Sequence, residues 1–304
     1  MAGKGIYYES QFEEATIELL REAHWQYTFG DDIHRKYTDP LIEEDLRNFL
    51  AAQYKDRDLT TSEIDGIVAN LRNTGGQNDY YALRNAFLLY RDGYDFAYSD
   101  GRDNPFRLEY IDFEHPDHNI FRCVNQFVME QGRENRRPDI LLFVNGIPVC
   151  IIELKNPTKQ NATIRDAHTQ ICTRYMRDIP ALLKYCALAV ISDGAKNALG
   201  TIYTPFEFFY EWKKIENEDK AGKGLDTLRT LIRGALSPER ILEILRDYVY
   251  FPDPTKEDDT TEIVCRYPQF FATRKLRDHI LNHLRSVGGD GKGGTYFGAT
   301  GCGK

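Results

Sequence analysis

An α/β fold, a mixed sheet flanked by helices, is what the sequence predicts, and three observations predict it. Two nearly all-apolar runs, 140–144 and 147–152, are joined by Asn145-Gly146. That dipeptide is the strongest short-range hairpin signal, because both residues tolerate the positive φ of a type I′ turn. A further apolar run at 186–192, closed by Asp193-Gly194, reads as a buried strand. Ahead of these, apolar residues recur at helical spacing along 7–24 and 40–92.

Taken in order, 7–24 sets Phe12, Ala15, Ile17, Leu19, Leu20 and Ala23 among Glu9, Glu13, Glu14 and Glu18, the pattern of an amphipathic helix. Helices follow at 40–54, 61–73 and 79–90, broken by Thr74-Gly75-Gly76. Strands are expected at 107–113 and 119–129, the second leading through a turn at 132–137 into the hairpin. A helix at 163–177 stops before Pro180, and a short strand is expected at 200–204. Residues 213–227 are charged and poor in apolar side chains, hence a loop or linker. Helices at 225–235 and 238–248 precede a stretch at 251–259 rich in proline and acid, the expected domain boundary. This divides the chain into 1–255 and 256–304. No internal repeat is apparent.

The 304 residues are 41% hydrophobic, enough for a sizeable core. No apolar stretch approaches the ~20 residues of a membrane span and the first residues lack a signal-peptide apolar region, so a cytoplasmic location with no membrane partner is expected. The six cysteines are scattered without Cys-x-x-Cys spacing and read as reduced core thiols. His279 and His283 lie four apart on an expected helix but lack a third metal ligand, so they read as helix surface. The net charge of −8 argues against nucleic-acid binding by the whole surface. Arg122, Arg133, Arg136, Arg137, Lys159, Arg165, Arg174 and Arg177 nevertheless crowd around the hairpin, and phosphate contacts need only a local field.

The chemistry is carried by the hairpin's open end. Pro138-Asp139 precedes the first strand and Glu153-Leu154-Lys155 ends the second. Antiparallel pairing about Asn145-Gly146 brings Asp139 toward Glu153 and Lys155, and alternation puts those two on one face. Close carboxylates repel unless a cation lies between them, and Mg²⁺ favours one or two carboxylates with phosphate oxygens and water. A lysine beside that ion polarises the attacking water or steadies charge on phosphorus. Asp139 and Glu153 are therefore candidate metal ligands, with Lys155 a candidate catalytic residue of a metal-dependent phosphodiesterase. At the chain's end, Gly298-Ala299-Thr300-Gly301-Cys302-Gly303-Lys304 fits G-x-x-x-x-G-K, whose glycines turn backbone N–H groups toward phosphates. A strand at 295–297 is expected to lead in. The Mg²⁺-holding hydroxyl and the acidic strand of a nucleotide site are expected beyond Lys304, so this stretch alone is not expected to hydrolyse ATP.

In these motifs and their order the chain resembles the R (motor and nuclease) subunit of type I restriction enzymes over essentially its full length. Arg137-Pro138-Asp139-Ile140 and Ile152-Glu153-Leu154-Lys155-Asn156-Pro157 resemble that family's RecB-like PD-(D/E)xK nuclease core. The resemblance implies a restriction-endonuclease-like fold over 1–255, then the start of a RecA-like motor domain over 256–304. It implies that the N-terminal helix brings a further acid to the metal, Glu9 or alternatively Glu13, and that Gln170 and Tyr175 orient the scissile strand. Arg266-Tyr267-Pro268-Gln269 resembles the segment ahead of the first motor motif, whose glutamine reads adenine, so Gln269, Gly298, Gly301, Gly303 and Lys304 are expected at ATP in the full-length subunit. The implied partners are double-stranded DNA and the methylation and specificity subunits. One departure stands out. The family's glutamine and tyrosine are usually four apart, whereas Gln170 and Tyr175 are five apart, about 140° around a regular helix. Either the helix is locally widened or only one of the two serves the site. The rival readings are a nuclease-like docking module without chemistry and a helicase-linked nuclease of another defence or repair system.

Overall fold

The structure, a computed structural model, describes residues 3–155, 163–216, 222–252 and 260–297, with backbone alone for 3–9 and 287. Its centre is a six-stranded sheet of β1 (Gln26–Phe29), β2 (Phe121–Asn125), β3 (Ile140–Val144), β4 (Ile147–Leu154), β5 (Leu188–Ser192) and β6 (Asn197–Gly200), ordered in space as in sequence. Pairing is parallel for β1 with β2 and β4 with β5, and antiparallel elsewhere. Each parallel pair is joined through helices, as a crossover requires. Between β1 and β2 these are Glu43–Gln53, Thr61–Asn73 and Asp79–Asp92, and between β4 and β5 a helical run over 164–178.

Local chemistry sets the boundaries. Thr60 and Glu63 form a reciprocal cap, the Glu63 N–H donating to Thr60 Oγ1 at 3.2 Å and the Thr60 N–H to Glu63 Oε2 at 2.8 Å. Asn78 caps the next helix through the Tyr81 N–H at 3.1 Å. Every residue of β3 and β4 is buried, which is why their runs are apolar throughout and not alternating. Asn145 and Gly146 have φ of +50° and +75°. The Asn145 side chain pins this turn, accepting from the Ile120 N–H at 2.7 Å and donating to Tyr110 O at 2.9 Å and Asn119 Oδ1 at 2.8 Å. The N-terminal helix, Gly3–Glu22, packs on β1 and β4, and no helix among the described residues is long and apolar enough to cross a membrane.

Several expectations need correction. The edge strand β1 has no counterpart in the sequence reading, since its burial barely alternates and leaves little hydrophobic signal. The 107–113 strand shrinks to Phe106–Leu108, paired with Tyr94–Phe96, and 119–129 divides into β2 and Met129–Gln131. The strand placed at 200–204 lies earlier, as β6. Residues 295–297 are not a strand: none among the described residues pairs with them, and Phe297 is fully open to solvent. The boundary at 251–259 falls largely outside the described residues. Beyond it, Ile263–Val264 pairs with Val249–Tyr250, and helix Tyr267–His283 buries Phe270 in the common core. Cys123, Cys150 and Cys186 are buried free thiols, and Cys172 and Cys265 are partly buried free thiols.

Candidate active site

Register builds the site. Ile140 pairs with Ile152, so Asp139, one residue before β3, stands opposite Glu153 near the end of β4. Asp139 Oδ2 accepts a 2.7 Å hydrogen bond from the Leu154 N–H, fixing the carboxylate against the strand end. Glu153 is 1% exposed. Its Oε1 accepts from Lys155 Nζ at 2.7 Å and its Oε2 from the Tyr175 hydroxyl at 3.3 Å. Lys155 Nζ also donates to Gln170 Oε1 at 2.7 Å, and Gln170 Nε2 donates to the Tyr175 hydroxyl at 2.7 Å. Glu153, Lys155, Gln170 and Tyr175 thus close a hydrogen-bonded circuit with Asp139 beside it.

The helix contributes to this circuit by changing its winding. After Ile164–Thr169 the chain runs as a π-helix over Gln170–Tyr175 and returns to α over Met176–Asp178. Bonds from i to i+5 widen the turn, so residues five apart fall on one face. The helix is locally widened, so that Gln170 reaches Lys155 while Tyr175 reaches Glu153.

Burial, then the neighbouring Asp139 charge, push the Glu153 carboxyl up to about 8, against the opposing pull of Lys155 and Tyr175. Because the folded value lies above the ordinary one, the protonated form favours folding. The contribution is full below about pH 4.5 and is lost as pH rises through about 8. Metal-free chain should therefore lose thermal stability across that window, and Glu153→Gln should flatten the loss. Melting temperatures measured in chelator would show it, and parallel curves for the two proteins would rule out Glu153 as the cause.

Asp139 also lines a cleft of about 640 Å³ together with Glu13, Asn125, Gln126 and Arg137. Glu13 Oε1 accepts from Asn125 Nδ2 at 2.7 Å and from Gln126 Nε2 at 2.9 Å, which ties the N-terminal helix to the end of β2. Glu14 and Glu18 are exposed on the same cleft. Glu9 belongs to the helix, but its side chain lies outside the described residues. Sequence reasoning missed Asn125 and Gln126, whose sequence distance from Glu13 leaves no local signal. The basic field is also smaller than the sequence suggested. Arg122 forms a two-pronged pair with Asp45, both bonds 2.7 Å, and Arg136 and Arg177 both engage Asp178. Lys159 falls outside the described residues.

Of the expected ATP-site residues, Gln269 sits in the first turn of Tyr267–His283 and accepts the Arg266 N–H at 2.7 Å. Gly298, Gly301, Gly303 and Lys304 lie outside the described residues. His279 and His283 stack with ring centroids 4.0 Å apart on that same helix.

The sequence model of the family described as Type I restriction enzyme R protein N terminus matches residues 6–208. The chain is 28% identical to the type I restriction enzyme HindI endonuclease subunit of Haemophilus influenzae, over 97% of this chain and 29% of that protein. It is 26% identical to the putative type I restriction enzyme MjaIXP endonuclease subunit of Methanocaldococcus jannaschii, over 90% of this chain and 28% of the relative. The putative MjaVIIIP endonuclease subunit of the same organism is 29% identical over 92% of this chain and 26% of its own length. The chain thus spans between about a quarter and a third of these curated relatives. With residues 6–208 of its 304 matched, it belongs to the family of type I restriction enzyme R protein N-terminal regions.

Proposed function

We propose that this region is the Mg²⁺-dependent endonuclease domain of a type I restriction motor subunit. It cuts unmethylated double-stranded DNA after ATP-driven translocation, in complex with methylation and specificity subunits. The observation that carries the reading is the junction of Asp139, Glu153 and Lys155 at one sheet end, closed by Gln170 and Tyr175.

The donor set fits a hard divalent cation. Two carboxylates lie side by side, and the buried one resists ionisation in part because of the other, a conflict that a cation relieves. Asp139 and Glu153 would hold Mg²⁺, with the Leu154 carbonyl assisting; when bound, the ion neutralises phosphate charge and acidifies water. Lys155, aimed by Glu153 and Gln170, donates a hydrogen bond to the attacking water or to a phosphate oxygen. Tyr175 orients Gln170, and Arg137 offers the cleft a phosphate contact. Glu13, with Glu9 the other candidate, supplies further negative charge at the cleft. Residues 256–304 would begin the motor, with Gln269 at adenine and Gly298, Gly301, Gly303 and Lys304 at the ATP phosphates.

Lys155→Ala tests the division of labour. It is expected to abolish cleavage by the full-length subunit while Mg²⁺ still binds, because the carboxylates are the ligands. Calorimetric Mg²⁺ titration beside a cleavage assay reads both. Undiminished cleavage by Lys155→Ala would remove the assigned role.

A further inference from the structure

At the closed end of the hairpin, away from Asp139 and Glu153, the loop Asp112-Phe113-Glu114-His115-Pro116-Asp117-His118 gathers three side chains around one point. Asp112 is 4% exposed and rigidly held: Oδ1 accepts the N–H groups of Glu114 at 3.0 Å and His115 at 2.9 Å, and Oδ2 accepts Gln53 Nε2 at 2.9 Å. His118 Nδ1 lies 3.0 Å and His115 Nδ1 3.4 Å from that same Oδ2. The two rings stack at 4.9 Å with 22° between their planes, and one ligand atom from each of the three residues lies within 4.8 Å of the others.

The two His–Asp separations are close to the edges of a small coordination polyhedron. An ion about 2.0–2.1 Å from each ligand in tetrahedral geometry sets neighbouring ligands roughly 3.3–3.4 Å apart. Core packing does not dictate the arrangement, since the His115 and His118 side chains are 64% and 50% exposed. That exposure leaves a fourth position to water. The Gln53 amide and the two backbone N–H groups are the kind of outer partners that orient a ligating carboxylate.

We propose that Asp112, His115 and His118 form a transition-metal site of the Zn²⁺ class, with water as fourth ligand. Imidazole selects Zn²⁺, Co²⁺ or Ni²⁺ over Mg²⁺, so this site is chemically separate from the carboxylate pair. Its role is structural. Asn119, next in the chain, accepts the Asp112 N–H at 2.9 Å and a bond from Asn145 Nδ2 at 2.8 Å, so an ion here braces the loop that pins the hairpin turn.

The test titrates the chain with Co²⁺ under excess Mg²⁺, in a His279→Ala/His283→Ala background that removes the other histidine pair. One equivalent of Co²⁺ giving four-coordinate visible absorption, displaced by Zn²⁺, is expected, as is a Zn²⁺-induced rise in melting temperature. His115→Ala/His118→Ala should weaken binding by roughly 100-fold or more and cancel that rise. His115→Gln/His118→Gln, which keeps polar side chains beside Asp112, should do the same. Absence of the Co²⁺ spectrum in the parent, or binding within about twofold of the parent by either double variant, would overturn the site.

Discussion

Glu153→Ala in the full-length subunit is expected to lower DNA cleavage on the order of 10³-fold or more, while ATP hydrolysis stays within about twofold, because removing a proposed metal ligand would forfeit several kcal/mol of charge stabilisation. The two activities separate because the Glu153 side chain bonds Lys155 and Tyr175 beside Asp139 at the strand end, all of them within the nuclease region. Loss of the side chain leaves Lys155 its bond to Gln170, so the local fold has a reason to persist. Asp139→Ala should behave alike, with the Leu154 N–H losing its acceptor besides. The decisive measurement pairs cleavage and ATPase assays on unmethylated DNA with the methylation and specificity subunits present. Normal cleavage by Glu153→Ala would sink the mechanism, and equal loss of both activities would point to a structural role for the hairpin.

The second large effect is on folding. Gly146→Ala is expected to cost about 3 kcal/mol or more and to lower the melting temperature by at least about 5 °C. Gly146 has φ of +75°, and a Cβ there would stand 2.1 Å from the Ile42 carbonyl oxygen and 3.2 Å from the Leu46 nitrogen. It also accepts the Ile42 N–H at 2.9 Å, so the turn cannot retreat without breaking that bond. Because the turn holds together β3 and β4, whose other ends adjoin Asp139 and Glu153, cleavage should fall with stability. Thermal unfolding of the 304-residue chain measures the effect. A cost below about 1 kcal/mol would mean that the turn relaxes freely.

These two residues also show what the sequence could reveal. The hairpin was legible because its turn chemistry is local: Asn-Gly between apolar runs fixes the turn, but the register that places Asp139 opposite Glu153 also depends on a one-residue shift between Leu142 and Phe143 that no local signal announces. Helix starts at Thr60 and Asn78 were legible for the same reason. Glu13 with Asn125 and Gln126 was not, since nothing within a window of sequence joins a helix to a strand end so distant along the chain. The pairing of Arg122 with Asp45 and of Arg136 with Asp178 was hidden likewise, and the sequence therefore overstated the positive field. The Asp112, His115, His118 spacing was in plain view but carries little weight until folding aims the side chains. Gln170 and Tyr175 lie between these extremes: their count along the chain was visible, the winding between them was not.

That winding has a consequence for how such a site tolerates change in chain length. In a regular helix, one added residue swings everything after it by about 100°, so an insertion between two cooperating side chains scatters them. A single wide turn absorbs the extra residue where it occurs and hands the helix back in phase at Met176–Asp178. The stretch acts as a length buffer: the spacing of Gln170 and Tyr175 can drift by one while the ring they form with Lys155 and Glu153 stays closed. Membership in such a site is thus decided by closure in space, and a motif written as a fixed count of positions would pass over this one.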